Sequence, residues 1–327
     1  MKAFRSFLAA ALLASALSAA AYAEENHVLS AGDRVDLGMF EGEKVTWDVL
    51  DAEKMNSGED GIFLFSSCVL QDYGTVYDEE KAVWDGSDAQ KWCADFYETA
   101  LTPAEQAAVP AVSKTEDRCY FFGLTWSELT ITNEHVFFIS APEMAEYYGP
   151  DDGYPGISGV DRNGFSAYYW LRTPHGYHPD YSGIALQGNQ IHDYQVNHVW
   201  GTRPALNLTP ERILFVSEEP DESGAYVLTL LDESLTLSVE TCEETADGFT
   251  VSYRSSGAGE NAGLCCGIAD GDGKLLEMER LGALASEGTV NIPRNALQRE
   301  GTLVLFALEE SEGESTLRAS LCAAAKA

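Results

Sequence analysis

The sequence predicts a strand-rich chain in two parts. A first region mixes strands with short helices, and a last stretch of roughly ninety residues reads as an all-β sandwich of immunoglobulin type. Three observations predict this. Apolar residues recur mostly with the period of two that a half-buried strand needs, as in Val45-Thr46-Trp47-Asp48-Val49-Leu50. Helix signals are confined to the first region, each marked by a cap residue. All six Trp precede Leu235, after which aromatics thin out and short alternating segments follow at even spacing.

The chain opens with Lys2 and Arg5, an apolar run from Phe7 to Ala21, and the small-residue site Ala21-Tyr22-Ala23 before Glu24-Glu25. That order is the signature of a secretory signal peptide over residues 1–23, cleaved after Ala23. The run is shorter than the roughly 20 residues a bilayer span needs, and no later segment is apolar enough to cross. The expected location is secreted, or extracytoplasmic, with no membrane insertion after cleavage.

Strands are expected at Val45–Leu50 and Gly61–Ser66. Ser87 should cap a helix carrying Trp92 and Phe96 four apart. Thr102-Pro103-Ala104-Glu105 is a capping box with Pro at the first helical position, so a second short helix should begin there. A strand at Val136–Ser140 then leads into Ser140-Ala141-Pro142-Glu143, a third start signal, followed by Met144 and Tyr147. A Gly/Asp/Pro loop runs from Gly149 to Gly164. Tyr168–Arg172 reads as a central strand, and Pro204 in Gly201–Leu206 argues for an edge strand or a bend. The breaker-rich Ser217–Gly224 marks a linker or hairpin over 217–234. Domains are therefore expected at 24–216 and 235–327. Leu235–Val239, Phe249–Tyr253, Thr289–Ile292 and Leu303–Leu308 are the sandwich strands, with Asp270-Gly271-Asp272-Gly273 as a turn.

The formal charge of −33 becomes −35 once Lys2 and Arg5 are removed. Phosphate backbones and anionic lipid would be repelled by such a surface, which excludes nucleic acid as a partner. The acids are scattered rather than blocked, as on a solvated, self-repelling surface, and the protein reads as a monomer. Seven cysteines leave an odd thiol even if some pair in the oxidising exterior, and their spacings match no zinc pattern.

Reactive constellations are scarce. His175-x-x-His178, with Asp180 or Asp193 as a third ligand, is the best transition-metal candidate, but Pro174 and Pro179 make it a loop. Asp151, Asp152, Asp161 and Asn163 are the calcium candidates, in a Gly-rich loop without EF-hand spacing, so no metal site is assigned. Cys93 or Cys119 could pair with a histidine, though nothing in the sequence orients one toward the other. Arg172 and Arg203 stand in apolar strand contexts, where each needs a carboxylate partner and acts as a fold determinant. With Trp84, Trp92, Trp170 and Pro204 they form the structural set. Aromatic and polar loop residues suit contact with a sugar or a peptide: Tyr154, Tyr169, Arg172, His175, Tyr177, His178, His192, Tyr194 and Trp200 are the candidate ligand-binding residues.

Several segments together resemble a known family. Trp47-x-Val49-Leu50, Trp84-x-x-Ser87 with Trp92, Leu101-Thr102-Pro103-x-Glu105, Val136-Phe137-Phe138-Ile139-Ser140-x-x-Glu143, Trp170-Leu171-Arg172-Thr173-Pro174 and Thr202-Arg203-Pro204-Ala205-Leu206 resemble, in that order, the DUF6273 family over about Val28 to Leu208. Lys91 and Cys93 depart from its usual Arg and Leu. The last two segments also look like the ending of C-type-lectin-like folds, including the sulfatase-modifying type. That resemblance implies an α+β fold with twisted antiparallel sheets and two or three short helices, and it implies no activity. The sulfatase-modifying chemistry needs a late cysteine pair, and the stretch from Arg172 to Arg203 has no Cys. The expected function is an exported, non-catalytic binding or surface-interaction protein for a glycan or another protein. The alternative is a secreted metal-dependent or hydrolytic enzyme using the His/Asp-rich loops.

Overall fold

The computed structural model describes residues 23–148, 159–186, 190–311 and 313–325. Residues of the expected signal peptide up to Tyr22 lie outside this set, as do Asp151, Asp152 and Tyr154.

Alternation in the Glu43–Asp51 strand turns Val45, Trp47 and Val49 inward. This strand belongs to a five-stranded antiparallel sheet in the order Val136–Phe138, Pro204–Leu208, Ile62–Ser66, Glu43–Asp51, Arg34–Phe40. Ile62–Ser66 and Pro204–Leu208 are buried along their whole length, which is why they carry unbroken apolar runs. Pro204 neither bends the chain nor marks an edge. It is the first residue of a central strand, a position where the missing N–H costs little. A second five-stranded sheet runs Gln190–Gln195, Tyr181–Leu186, Tyr169–Pro174, Val199–Thr202, Gln71–Val76.

Three helices start at the three cap signals. α1 (Asp88–Ala100) begins where Ser87 Oγ accepts the Gln90 amide at 3.0 Å, and it buries Ala89, Cys93, Phe96 and Ala100. α2 (Pro103–Ala108) carries the Thr102/Glu105 capping box. α3 (Ala141–Tyr148) follows Ser140, whose hydroxyl accepts the Glu143 amide while the Glu143 carboxylate accepts the Ser140 amide. Trp92 stacks on Phe96 at 5.5 Å and reaches Phe138 at 5.9 Å, joining α1 to the first sheet in one aromatic core.

The α+β class is corrected by this architecture. Among the described residues strands take 52% and helices 10%, and the sheets are curled. The helices span 13, 6 and 8 residues, too short to form a layer of their own.

The last region is corrected as well, since it does not build a self-contained immunoglobulin-like sandwich. Its main sheet has eight strands and takes three of them from elsewhere: Glu24–Glu25, Ile213–Val216 and Leu228–Leu231. The last of these runs parallel to Leu317–Ala319. The two edges of this sheet meet at one short segment. Glu24–Glu25 pairs with Glu277 and Met278, and the Asn26 amide continues that edge by donating to Leu276 O at 2.9 Å. Across the gap His27 N donates to Val216 O at 3.2 Å. The Asn26 side chain bonds both sides, donating to Leu275 O at 2.6 Å and accepting from Val216 N at 2.9 Å. Phe215, Cys265, Met278 and Phe306 fill the inside of the curl. Leu264, Cys266 and Leu305 on the other face pack under the three-stranded sheet Thr236–Thr245, Gly248–Ser256, Glu287–Pro293. The adjacent cysteines Cys265 and Cys266 thus point into different cores, as strand alternation requires.

The two regions are joined at Glu105. Its buried carboxylate accepts from Gly38 N at 3.1 Å, Ser315 Oγ at 2.5 Å and Thr316 Oγ1 at 3.0 Å. Gly38 makes this approach with φ +85°, and a Cβ there would lie 2.7 Å from Leu101. Among the described residues no helix is long and apolar enough to cross a membrane.

Asn26→Ala removes the bridge across the seam and leaves two backbone groups without it. It should cost about 1–3 kcal/mol in urea unfolding. A midpoint equal to that of the unaltered protein would show that the seam does not hold the sheet.

Candidate functional site

Arg172 lies mid-strand in Tyr169–Pro174 with its side chain 1% exposed. The guanidinium makes a two-pronged bridge to Glu143, Nη1 to Oε2 and Nη2 to Oε1, each at 2.6 Å. Nη2 also donates to Glu116 Oε1 at 2.8 Å, and Nη1 to Phe138 O at 2.7 Å. Lys114 Nζ stands 3.0 Å from Glu143 and 3.3 Å from Glu116, so two cations face two carboxylates. Asn56 Nδ2 and Ser140 Oγ donate to the same carboxylates. Burial pushes the Glu143 carboxyl up. The charge and hydrogen bonds of Arg172, with help from Lys114 and the Ser140 amide, outweigh it and hold Glu143 well below the usual carboxylate range. Burial likewise pushes Arg172 down, and Glu116 and Glu143 more than reverse it.

Arg203 is held differently. Its guanidinium lies 4.0 Å from the Phe65 ring centroid and 5.2 Å from that of Tyr169. Nε donates to Ser66 O at 2.8 Å, and Nη1 donates to the Tyr169 hydroxyl at 3.3 Å. Its carboxylate, Asp48, stands off at 3.9 Å. Arg203 thus stacks on two rings, with Asp48 at the edge of ion-pair distance. Trp84 and Trp170 are buried, and Trp170 Nε1 donates to Thr75 O at 3.0 Å. Trp92 is partly buried, with Nε1 donating to Gln71 Oε1 at 3.1 Å.

The candidate ligand-binding residues divide into three groups. Tyr169 and Arg172 are fully buried, so a ligand cannot touch them; their strand is covered on both sides. The remainder separate because strand residues alternate faces. Along Gln190–Gln195, Asp193 turns toward His175, while His192 and Tyr194 turn to the opposite face.

On the first of these faces His175 is nearly buried. Its Nδ1 accepts the amides of Tyr177 and His178, each at 3.2 Å, and its ring stacks on His178 at 4.9 Å. Burial pushes the His175 imidazole below its ordinary range, with Asp193 opposing and His178 adding. Tyr177 is 70% exposed, with the Arg118 guanidinium 4.9 Å above its ring.

On the second face Tyr194 meets Trp200 edge-on at 5.3 Å and His198 at 4.7 Å. Trp200 in turn meets Tyr168 at 5.4 Å. His192 Nδ1 lies 3.1 Å from Asp193 Oδ1, and the His198 ring faces Asn197 Oδ1 at 3.2 Å. Trp200 Nε1 is buried with no hydrogen-bond partner among the described residues.

Chemistry at these positions is restrained. Burial pushes all seven thiols above the ordinary cysteine range, Cys93 well above it and Cys265, Cys266 and Cys322 to about 12. Neutral thiols are poor nucleophiles. The rings of His27, His135, His175, His192 and His198 are engaged by Asp33, Val109 O, the two amides, Asp193 and Asn197 rather than by a thiol or hydroxyl. Among the described residues no three His, Cys, Asp or Glu side chains converge as metal ligands. Asp161, a calcium candidate, uses Oδ1 to accept the amides of Asn163 and Phe165 at 2.9 and 2.8 Å, which closes a turn. Asn163 itself is exposed.

The buried Arg172 cluster, its capping box and the Arg203-Pro204 strand all lie within one contiguous segment. Residues 59–210 match the family DUF6273, a domain of unknown function. No curated protein and no solved structure matches the chain. The DUF6273 segment holds Arg172, Glu143, Glu116, Lys114 and Arg203. It begins after Trp47, although the Glu43–Asp51 strand completes the same sheet. The expected ligand residues lie inside the segment too. One open cleft lies away from these residues: it measures about 510 Å³ and stands where the end of the segment meets the C-terminal sheet. Sequence reading missed it, because its walls come from stretches far apart in the chain.

Arg172→Met leaves two buried carboxylates facing Lys114 alone and should cost roughly 3–5 kcal/mol; an unchanged melting temperature would refute the structural role. Glu143 also sets an acid limit. Its folded pKa lies below the unfolded value of about 4.3, so its contribution is complete above that value and is lost progressively as pH falls from there through the folded pKa. Glu143→Gln should therefore flatten the loss of stability measured from about pH 5 downward.

Proposed function

We propose that this is an exported, non-catalytic binding protein whose ligand is a glycan, held by stacking on the aromatic ledge Tyr168–Trp200–Tyr194. The observation that carries this reading is the ledge itself. Three rings brace one another, Tyr194 edge-on to Trp200 and Trp200 tilted against Tyr168, and Tyr194 remains 39% exposed. A sugar presents an apolar ring face to such an edge and hydroxyls to its surroundings. His192 shares the face of Tyr194, and Asn197 sits against the His198 ring beside it; both supply donors and acceptors for those hydroxyls.

Support also comes from the thiols, which burial keeps neutral, and from the five imidazoles other than His178, which are held by local hydrogen bonds. Export follows from the signal-type N-terminus, and it fits the excess of 53 acidic over 20 basic residues that keeps the surface self-repelling. Rigid aromatics lose little rotamer freedom on binding, so a preformed ledge suits weak, selective capture.

The reading is tested on a glycan array with the secreted form, followed by titration of the best hit. Tyr194→Ala should weaken binding about tenfold or more without moving the melting temperature. Capture of peptides but not glycans, or a hit that ignores Tyr194→Ala, would sink it.

A further inference from the structure

The cleft of about 510 Å³ falls in the range of small-ligand sites, roughly 300–1,000 Å³. Its apolar walls are Leu214, Leu231, Leu275, Leu321 and Cys322. Leu275 is fully buried in the core inside the curled sheet and backs the cleft from behind, while Leu214, Leu231 and Leu321 stay within reach of a ligand. Cys322 packs against the same core, and burial keeps its thiol neutral. The walls therefore carry no charge.

The rim does carry charge. Glu211 and Asp272 stand on it with one cation, Lys274. Glu211 accepts from Thr209 Oγ1 at 2.6 Å, which holds its carboxyl below the usual range and keeps it ionised. The Asp270 carboxylate takes the amides of Asp272 and Lys274 at 3.0 and 2.9 Å, so the turn presenting both side chains is pinned.

One wall is also a sheet edge. Ile213–Val216 is the outermost strand of the eight-stranded sheet, and the Asn26-His27 segment bridges it at Val216. At Ile213 and Leu214 the cleft opens beside that strand. Sheet edges recruit extended chains through their main-chain groups, with pockets selecting the side chains.

We infer that this cleft is a second binding site, taking an extended peptide segment that inserts an apolar side chain between Leu214, Leu231 and Leu321 and places a basic residue against Glu211 and Asp272. The sign of the charge decides between occupants. The rim carries two acids to one base, and the whole chain carries −33, so a fatty-acid carboxylate meets repulsion where a lysine or arginine meets attraction.

Calorimetric titration tests this with three probes: acetyl-Lys-Leu-Tyr-Leu-Lys-amide, the same peptide with Glu in place of Lys, and dodecanoate below its micelle concentration. Leu321→Arg and Lys274→Glu change exposed positions and leave the core untouched. The basic peptide should bind, weaken about fivefold or more with Leu321→Arg, and tighten about threefold with Lys274→Glu. Far-UV circular dichroism should be the same for all three proteins. The inference is overturned if the basic peptide does not bind, if both variants bind it like the unaltered protein, if the acidic peptide binds equally well, or if dodecanoate is the only probe whose binding responds to the variants. None of these results depends on Tyr194, so failure here and failure at the aromatic ledge remain distinguishable.

Discussion

A guanidinium with no access to water can sit in a β-core only if its charge is met there, and Arg172, whose Nη1 and Nη2 are bonded while its Nε has no partner among the described residues, sets that condition for the whole DUF6273 segment. Its partners arrive from three places: Glu143 from the first turn of α3, Glu116 from the Val112–Glu116 strand, and the Phe138 carbonyl from the first sheet. The cluster can form only when these elements are correctly placed, so it registers the second sheet against the first. Such a cluster adds less to net stability than its many contacts suggest, because two carboxylates and two cations were desolvated to make it. Its main effect is on specificity, since a misplaced strand would leave a buried charge alone.

The capping residue and the ion pair share one side chain. Glu143 accepts the Ser140 amide as part of the helix start and also carries the bridge to Arg172. Glu105 repeats the arrangement at α2, where the capping carboxylate also accepts hydroxyl protons from Ser315 and Thr316 of the C-terminal region. In both places a short helix, too small to be stable alone, is held by what its capping carboxylate reaches. Helix starts in this chain therefore act as joints between sheets.

Surface and interior divide the chemistry. Three of the thiols and the largest aromatics are buried and held there, while the recognition groups left outside are tyrosines, the partly covered Trp92 and Trp200, and side chains rich in carboxylates. Both proposed sites use that division, one through edge-packed rings and the other through an apolar cleft with an acidic rim. They differ in construction. The ledge comes from strands near one another in the chain, whereas the cleft needs residues from Glu211 to Cys322.

The sequence by itself determined the local features: three helix starts from Ser87, Thr102 and Ser140, the inward alternation of Val45, Trp47 and Val49, the buried runs around Phe63-Leu64-Phe65 and Ala205-Leu206, and the need of Arg172 for a carboxylate. Each depends on neighbours within a few residues, or on the cost of burying one group. What only the tertiary structure decided was everything that depends on which distant segments pair. Two residues just past Ala23 enter a sheet whose other strands begin nearly two hundred residues later. Tyr169 belongs to the core while Tyr194 belongs to the surface. The last strands share a sheet with Ile213–Val216 instead of closing an independent sandwich. Periodicity reports that a strand has an apolar face; it carries no information about which edge that strand joins, because main-chain hydrogen bonds are the same for every sequence.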